Sequence, residues 1–140
     1  MEAERVTQGH CKCGAVTYRY TGPENWRGHC HCEDCRRATS SPFTSYLGVP
    51  RDRFEWTGEE PKTYQSSPGV TRYFCPACGS PMGFEAPQRF GPEIHLFAAT
   101  LDDSDNYIPQ FHVYCREMVR WVCPADGLPK YSTTVRGGEE

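Results

Sequence analysis

The sequence predicts a mainly β protein built of short strands and tight turns, and three observations carry that expectation. Thirteen Gly and twelve Pro among 140 residues interrupt the chain so often that no long amphipathic helix can be written anywhere. Between these breakers, polar and apolar residues alternate, as Val16, Tyr18 and Tyr20 do against Thr17 and Arg19. Most of the nine cysteines fall in Cys-x-Cys, Cys-x-Cys-x-x-Cys and Cys-x-x-Cys spacings, too close for unstrained disulfides and well placed to chelate one ion.

Taken in order, Arg5 to Gly9 and Ala15 to Tyr20 read as two strands around the turn Gly9-His10-Cys11-Lys12-Cys13-Gly14. The flanking glycines permit the positive φ angles of a tight turn, which lets both sulfurs face one metal. Thr21 to Glu24 is a loop, and Trp26 a core or rim residue leading into His29-Cys30-His31-Cys32-Glu33-Asp34-Cys35-Arg36-Arg37. Glu33 to Ala38 fits one helical turn with its acidic pair at the start, where the helix dipole favours negative charge. Thr39-Ser40-Ser41-Pro42 stops it. Phe43 to Val49 and Phe54 to Gly58 read as strands, and Lys62 to Ser66 with Val70 to Phe74 as a hairpin across Ser67-Pro68-Gly69. The second arm delivers Cys75-Pro76-Ala77-Cys78-Gly79-Ser80, and Met82 to Glu85 leaves that turn as a strand. Ile94 to Ala98 is a buried strand, Asp102 to Asn106 a polar turn and Phe111 to Tyr114 extended.

The length suits one domain over residues 1–140, with an ordered core from about residue 5 to residue 132 and a short flexible C-terminal tail. The formal net charge of -3 offers no basic field for a nucleic-acid backbone, so nucleic acid is not an expected partner. The charged start, Met1 to Arg5, has no apolar stretch behind it, and nothing approaches the roughly 20 apolar residues of a membrane span. The expected location is the cytoplasm, whose reducing conditions favour thiolate-metal sites over disulfides.

Cys75-x-x-Cys78 supplies half of a tetrahedral site, and Cys11-x-Cys13 is its natural partner, giving four thiolates around a structural zinc. Such a site contributes on the order of 10 kcal/mol to folding. Cys30, Cys32 and Cys35 are then one ligand short. Either Cys115, Cys123, His29, His31 or His112 closes the shell, or the fourth position is open; His31, between two ligands in an extended stretch, would point away. An open three-thiolate zinc is a weaker Lewis acid than a three-histidine site and suits an incoming thiol, whose pKa it lowers so that the sulfur can attack an electrophilic carbon. Arg36 and Arg37 are candidate contacts for the carboxylates of a thiol peptide, or a solvated pair partnering Glu33 and Asp34.

The motifs Gly9-x-Cys11-x-Cys13-Gly14-x-Val16-x-Tyr18, Cys30-His31-Cys32-x-x-Cys35-Arg36-Arg37 with Ser41-Pro42-Phe43, and Phe74-Cys75-x-x-Cys78-Gly79-Ser80 resemble the glutathione-dependent formaldehyde-activating enzyme family. Thr100 to Asp103 and the His112 to Trp121 segment are similar to it too. The resemblance implies a β-tent fold of small coiled antiparallel sheets around structural zinc, with two Zn2+ per chain. It implies that Cys11, Cys13, Cys75 and Cys78 bind the structural zinc and that Cys30, Cys32 and Cys35 bind the catalytic one. The implied activity is that of a carbon-sulfur lyase which adds glutathione to formaldehyde, as S-hydroxymethylglutathione synthase does. A non-catalytic zinc- or glutathione-binding module on the same scaffold is the alternative. Ser40 stands where the family's glycine is expected.

Overall fold

A computed structural model describes residues 5–137, so the charged start at residues 1–4 and the last three residues of the expected tail lie outside the described residues. The protein is mainly β, as its composition and alternation lead one to expect. The strands are β1 (Val6–His10), β2 (Thr17–Thr21), β3 (Trp26–Cys30), β4 (Thr44–Pro50), β5 (Phe54–Trp56), β6 (Lys62–Ser67), β7 (Val70–Phe74), β8 (Pro81–Glu85), β9 (Glu93–Phe97) and β10 (His112–Val113). Among the described residues two α-helices interrupt them, α1 (Glu33–Thr39) and the single turn α2 (Pro87–Phe90), besides short 3-10 turns. Most boundaries fall within a residue or two of the sequence reading, whereas β3 and α2 have no counterpart in it. No described helix is long and apolar enough to cross a membrane.

The chain falls into two compact units, one of residues up to Trp26 together with Leu47–Tyr107, the other of Arg27–Tyr46 together with the residues from Ile108 onward. In the first, β1, β2 and β5 form an antiparallel sheet in which Tyr18 lies opposite both Gly9 and Trp56. Strands β9, β8, β7 and β6 follow one another as antiparallel neighbours. The core gathers Val16, Tyr18, Tyr20, Leu47, Val49, Phe54, Met82, Ile94 and Leu96, with Cys11 and Cys75 buried among them. The alternation along β2 is therefore realised, with Tyr18 and Tyr20 buried and Arg19 exposed.

Gly9 has a different role from the one its position suggested. It lies in β1, at the strand position the sequence reading gave it, without the positive φ expected of a turn glycine, and a Cβ there would sit 2.2 Å from the Tyr18 ring, so the residue is small because an aromatic ring crosses it. Gly14 does supply the positive φ, at 84°.

The second unit has an unusual interior. Its buried residues include Cys30, His31, Cys35, Thr44, Tyr46 and His112, which are thiols, imidazoles and hydroxyls more than hydrocarbon. Strand β3 pairs in parallel with β10, placing His112 beside His29 and Val113 beside Cys30. The chain after β10 returns to it, with Tyr131 donating to the His112 carbonyl and Tyr114 to that of Thr133. Helix α1 ends at Ser40, which takes the left-handed conformation (φ 54°, ψ 43°) and donates to the Arg36 carbonyl. A residue without a Cβ is normally favoured at that position.

Candidate metal centres

The four sulfurs of Cys11, Cys13, Cys75 and Cys78 come together in the first unit. Cys11 and Cys13 are 3.6 Å apart and Cys13 and Cys75 3.7 Å. Thiolates at tetrahedral corners about 2.3 Å from zinc would be separated by about 3.8 Å, whereas a disulfide needs about 2.05 Å, so this is chelation geometry. None of the nine cysteines is in a disulfide. Two turns build the site, and each aims backbone amides at sulfur. Val16 donates to Cys11 Sγ at 3.3 Å, and Ala77 and Cys78 both donate to Cys75 Sγ at 3.4 Å. Gly79, at a φ of 78°, closes the second turn. Ser80 links the two, with its Oγ accepting from the Lys12 amide and lying 3.0 Å from Cys78 Sγ. That hydroxyl is the largest cause of a Cys78 thiol lowered to about 5. Donors already aimed at sulfur are what a bound thiolate requires.

The second cluster lies wholly in the second unit. Cys30, at the end of β3, and Cys32, the N-cap of α1, have sulfurs 3.4 Å apart, and Cys35 on the first turn of the helix completes the group. The Cys35 amide donates to Cys32 Sγ at 3.4 Å, and the buried Tyr46 hydroxyl donates to Cys35 Sγ at 3.1 Å. Without a cation, hydrogen bonds to Cys32 and Cys35 and burial hold the Cys30 thiol well above its ordinary value. Cys32 has a hydrogen bond with Cys30 that favours its thiolate, but Cys35 and burial outweigh it and push the thiol up to about 11. A divalent ion would reverse this by supplying the charge that three adjacent thiolates need.

Among the described residues, no fourth ligand joins Cys30, Cys32 and Cys35. Alternation along β3 puts Cys30 and the histidines on opposite faces. His31 is fully buried and its Nε2 lies 2.8 Å from His112 Nδ1, while His112 Nε2 lies 2.8 Å from Asp126 Oδ2. Burial, followed by repulsion from His112 and His29, holds His31 down at about 4. Cys115 and Cys123 stay outside the group. Arg36 and Arg37 follow the ligands on α1, where Arg36 donates from Nε to the His31 carbonyl and Arg37 pairs with Glu33 at 2.7 Å. Glu117 accepts from the Glu33 amide at 2.9 Å, bonding the first amide of the helix.

The profile of glutathione-dependent formaldehyde-activating enzymes matches residues 6–117, which takes in both cysteine centres and ends on Glu117. The chain belongs to that family. A Halomonas elongata protein provisionally named as a glutathione-dependent formaldehyde-activating enzyme is 30% identical over 127 residues, covering 84% of this chain and 80% of its own length. A Schizosaccharomyces pombe protein named as an uncharacterized lyase is 32% identical over 77 residues, 55% of this chain and 56% of that protein. A crystal structure of a Rhodobacter sphaeroides protein superposes with a TM-score of 0.57 at 18% identity, over 89% of this chain and 98% of that one, and shows the same fold. Membership in the glutathione-dependent formaldehyde-activating enzyme family supports an enzymatic role and fits two thiol clusters able to hold metal ions. The spacing of the cysteines alone revealed both clusters. Tyr46, Glu117 and the His31–His112–Asp126 contacts had no such signal, because they join residues with no shared motif.

Proposed function

We propose that this protein is a zinc-dependent carbon-sulfur lyase of the S-hydroxymethylglutathione synthase type, which adds a thiol such as glutathione to an aldehyde such as formaldehyde. It holds two zinc ions per chain, a structural one on Cys11, Cys13, Cys75 and Cys78 and a catalytic one on Cys30, Cys32 and Cys35. The observation that carries this reading is the three-sulfur cluster with no fourth described ligand. Zinc held there lowers the pKa of an incoming thiol, so that it is present as thiolate near neutral pH.

The chain's own residues prepare that site. The Cys35 amide and Tyr46 hydroxyl stabilise the sulfur charges and fix the ligand positions. In the overall reaction, the substrate sulfur forms a bond to the carbonyl carbon, the C=O π pair moves to oxygen, and the thiol proton ends on that oxygen. Arg36 and Arg37 are the proposed contacts for the thiol's carboxylates, with Arg37 on the exposed face of α1. The cytoplasm, which keeps thiols reduced, is the proposed location.

Changing Cys35 to Ser should abolish acceleration of glutathione-formaldehyde exchange over the uncatalysed rate, while the metal on Cys11, Cys13, Cys75 and Cys78 stays bound. Equal acceleration by variant and wild type would reject the proposal. Glutathione binding by the wild type without acceleration would assign the chain to the non-catalytic alternative.

A further inference from the structure

The histidine face of β3 carries a third constellation. His29, His112 and Asp126 each present one ligand atom, and the three atoms lie within 4.8 Å of one another. Two observations distinguish this group from an ordinary surface cluster. His112 is fully buried, and its Nε2 lies 2.8 Å from Asp126 Oδ2, close to the roughly 3 Å between neighbouring donors on an ion with ligands at about 2.0–2.1 Å. Each residue is also anchored through another polar atom. Ser45 Oγ lies 2.8 Å from His29 Nδ1, His31 Nε2 lies 2.8 Å from His112 Nδ1, and Asp126 Oδ1 accepts the Leu128 amide at 3.1 Å.

Such outer partners are what orient imidazole and carboxylate ligands at metal sites. An ion bound by His29 through Nε2 and by His112 through Nε2 would leave both Nδ1 contacts in place. The parallel register of β3 and β10 sets the His29 ring beside the His112–Asp126 pair, tilted at 37° with its centroid 4.8 Å from that of His112, so two imidazoles and a carboxylate share one place.

We infer that His29, His112 and Asp126 form a separate binding site for a divalent first-row transition ion, on the face of β3 opposite Cys30. Two imidazoles and one carboxylate suit borderline ions such as Zn2+, Co2+ or Fe2+, and three protein ligands leave positions for water. The ion would tie the loop carrying Asp126 to β3 and β10. It would also fix the direction of the His31–His112 hydrogen bond. With His112 Nε2 on the metal, Nδ1 carries the proton and donates to His31 Nε2, so that His31 holds its proton on Nδ1, a buried nitrogen with no hydrogen-bond partner.

The test is to titrate Co2+ into the zinc-loaded protein and follow its visible absorption. The site should take up one Co2+ per chain beyond the thiolate-bound metal, with d–d bands but no sulfur-to-cobalt charge transfer. Asp126→Asn should weaken this uptake by at least about tenfold, and Ser45→Ala by roughly 10- to 100-fold, since removing an outer-shell partner carries that cost. Asp126 is exposed, and the thiolate-bound metal of its variant provides the internal control for folding. Cys35→Ser should retain the uptake, so this inference and the proposed activity fail separately. No uptake beyond the thiolate sites, or uptake unchanged in Asp126→Asn, would overturn it.

Discussion

Tyr46→Phe removes a single oxygen and thereby asks how far the protein itself tunes the second cluster. Tyr46 is 2% exposed and its hydroxyl donates to the sulfur of Cys35, itself 5% exposed, at 3.1 Å. When Cys35 binds metal as a thiolate, the contact becomes a charge-assisted hydrogen bond worth roughly 1.5–3 kcal/mol. At 1.4 kcal/mol per factor of ten, its loss should weaken metal binding at Cys30, Cys32 and Cys35 by about 10- to 100-fold, the range seen for other outer-shell partners. Competition with a chromophoric chelator resolves the two centres. The Cys11, Cys13, Cys75 and Cys78 metal should leave as in the wild type, and the other should leave at a lower chelator concentration. The phenylalanine keeps the ring and its packing, so unchanged release from both centres would refute the tuning argument.

Two further predictions concern stability. Ser40→Gly should raise it by about 1 kcal/mol, because a residue with a Cβ pays roughly 1–2 kcal/mol at a left-handed position and glycine returns part of that as chain entropy; a rise of about 4 °C in the melting temperature is expected, and no change would mean that Ser40 carries no strain. Glu93 is half-buried, which by itself would raise its pKa, but hydrogen bonds from His95, Asn25 and Trp26 outweigh this and hold the carboxylate below its ordinary 4.5. Its stabilisation is therefore complete above that pH and is lost as pH falls through the lower folded value. Denaturant titrations should show wild type and Glu93→Gln converging in that acid window, and a gap of constant size across it would contradict the assignment.

Much of the fold was readable because its signals are local. The alternation at Val16, Tyr18 and Tyr20 marks a half-buried strand whatever lies opposite, and Cys-x-Cys or Cys-x-x-Cys brings sulfurs together within one turn. The partnership of Cys11 and Cys13 with Cys75 and Cys78 followed from ligand counting, and the shared position of their sulfurs agrees with it. Contacts between distant residues were not readable. Nothing local in Phe111 to Tyr114 says that His112 lies beside His29 in a parallel pair, or that Asp126 reaches its ring. Gly9 shows the same limit from another side. Its neighbours in sequence suggested a turn, while the reason for its size is a tyrosine ring nine residues away that only the β1–β2 register brings over it. Ser40 was legible as a departure from the family pattern, and the left-handed backbone supplies the physical meaning of that departure.

The central claim is that the coordination shell of Cys30, Cys32 and Cys35 is open and that a thiol fills it. Zinc-edge X-ray absorption with and without glutathione, on protein whose metal content per chain has been measured, tests it most directly. The account predicts zinc on both thiolate centres and a gain of sulfur neighbours on adding glutathione, with the gain absent from Cys35→Ser. A shell already complete in sulfur or nitrogen before the thiol is added, and unchanged after it, would contradict the account.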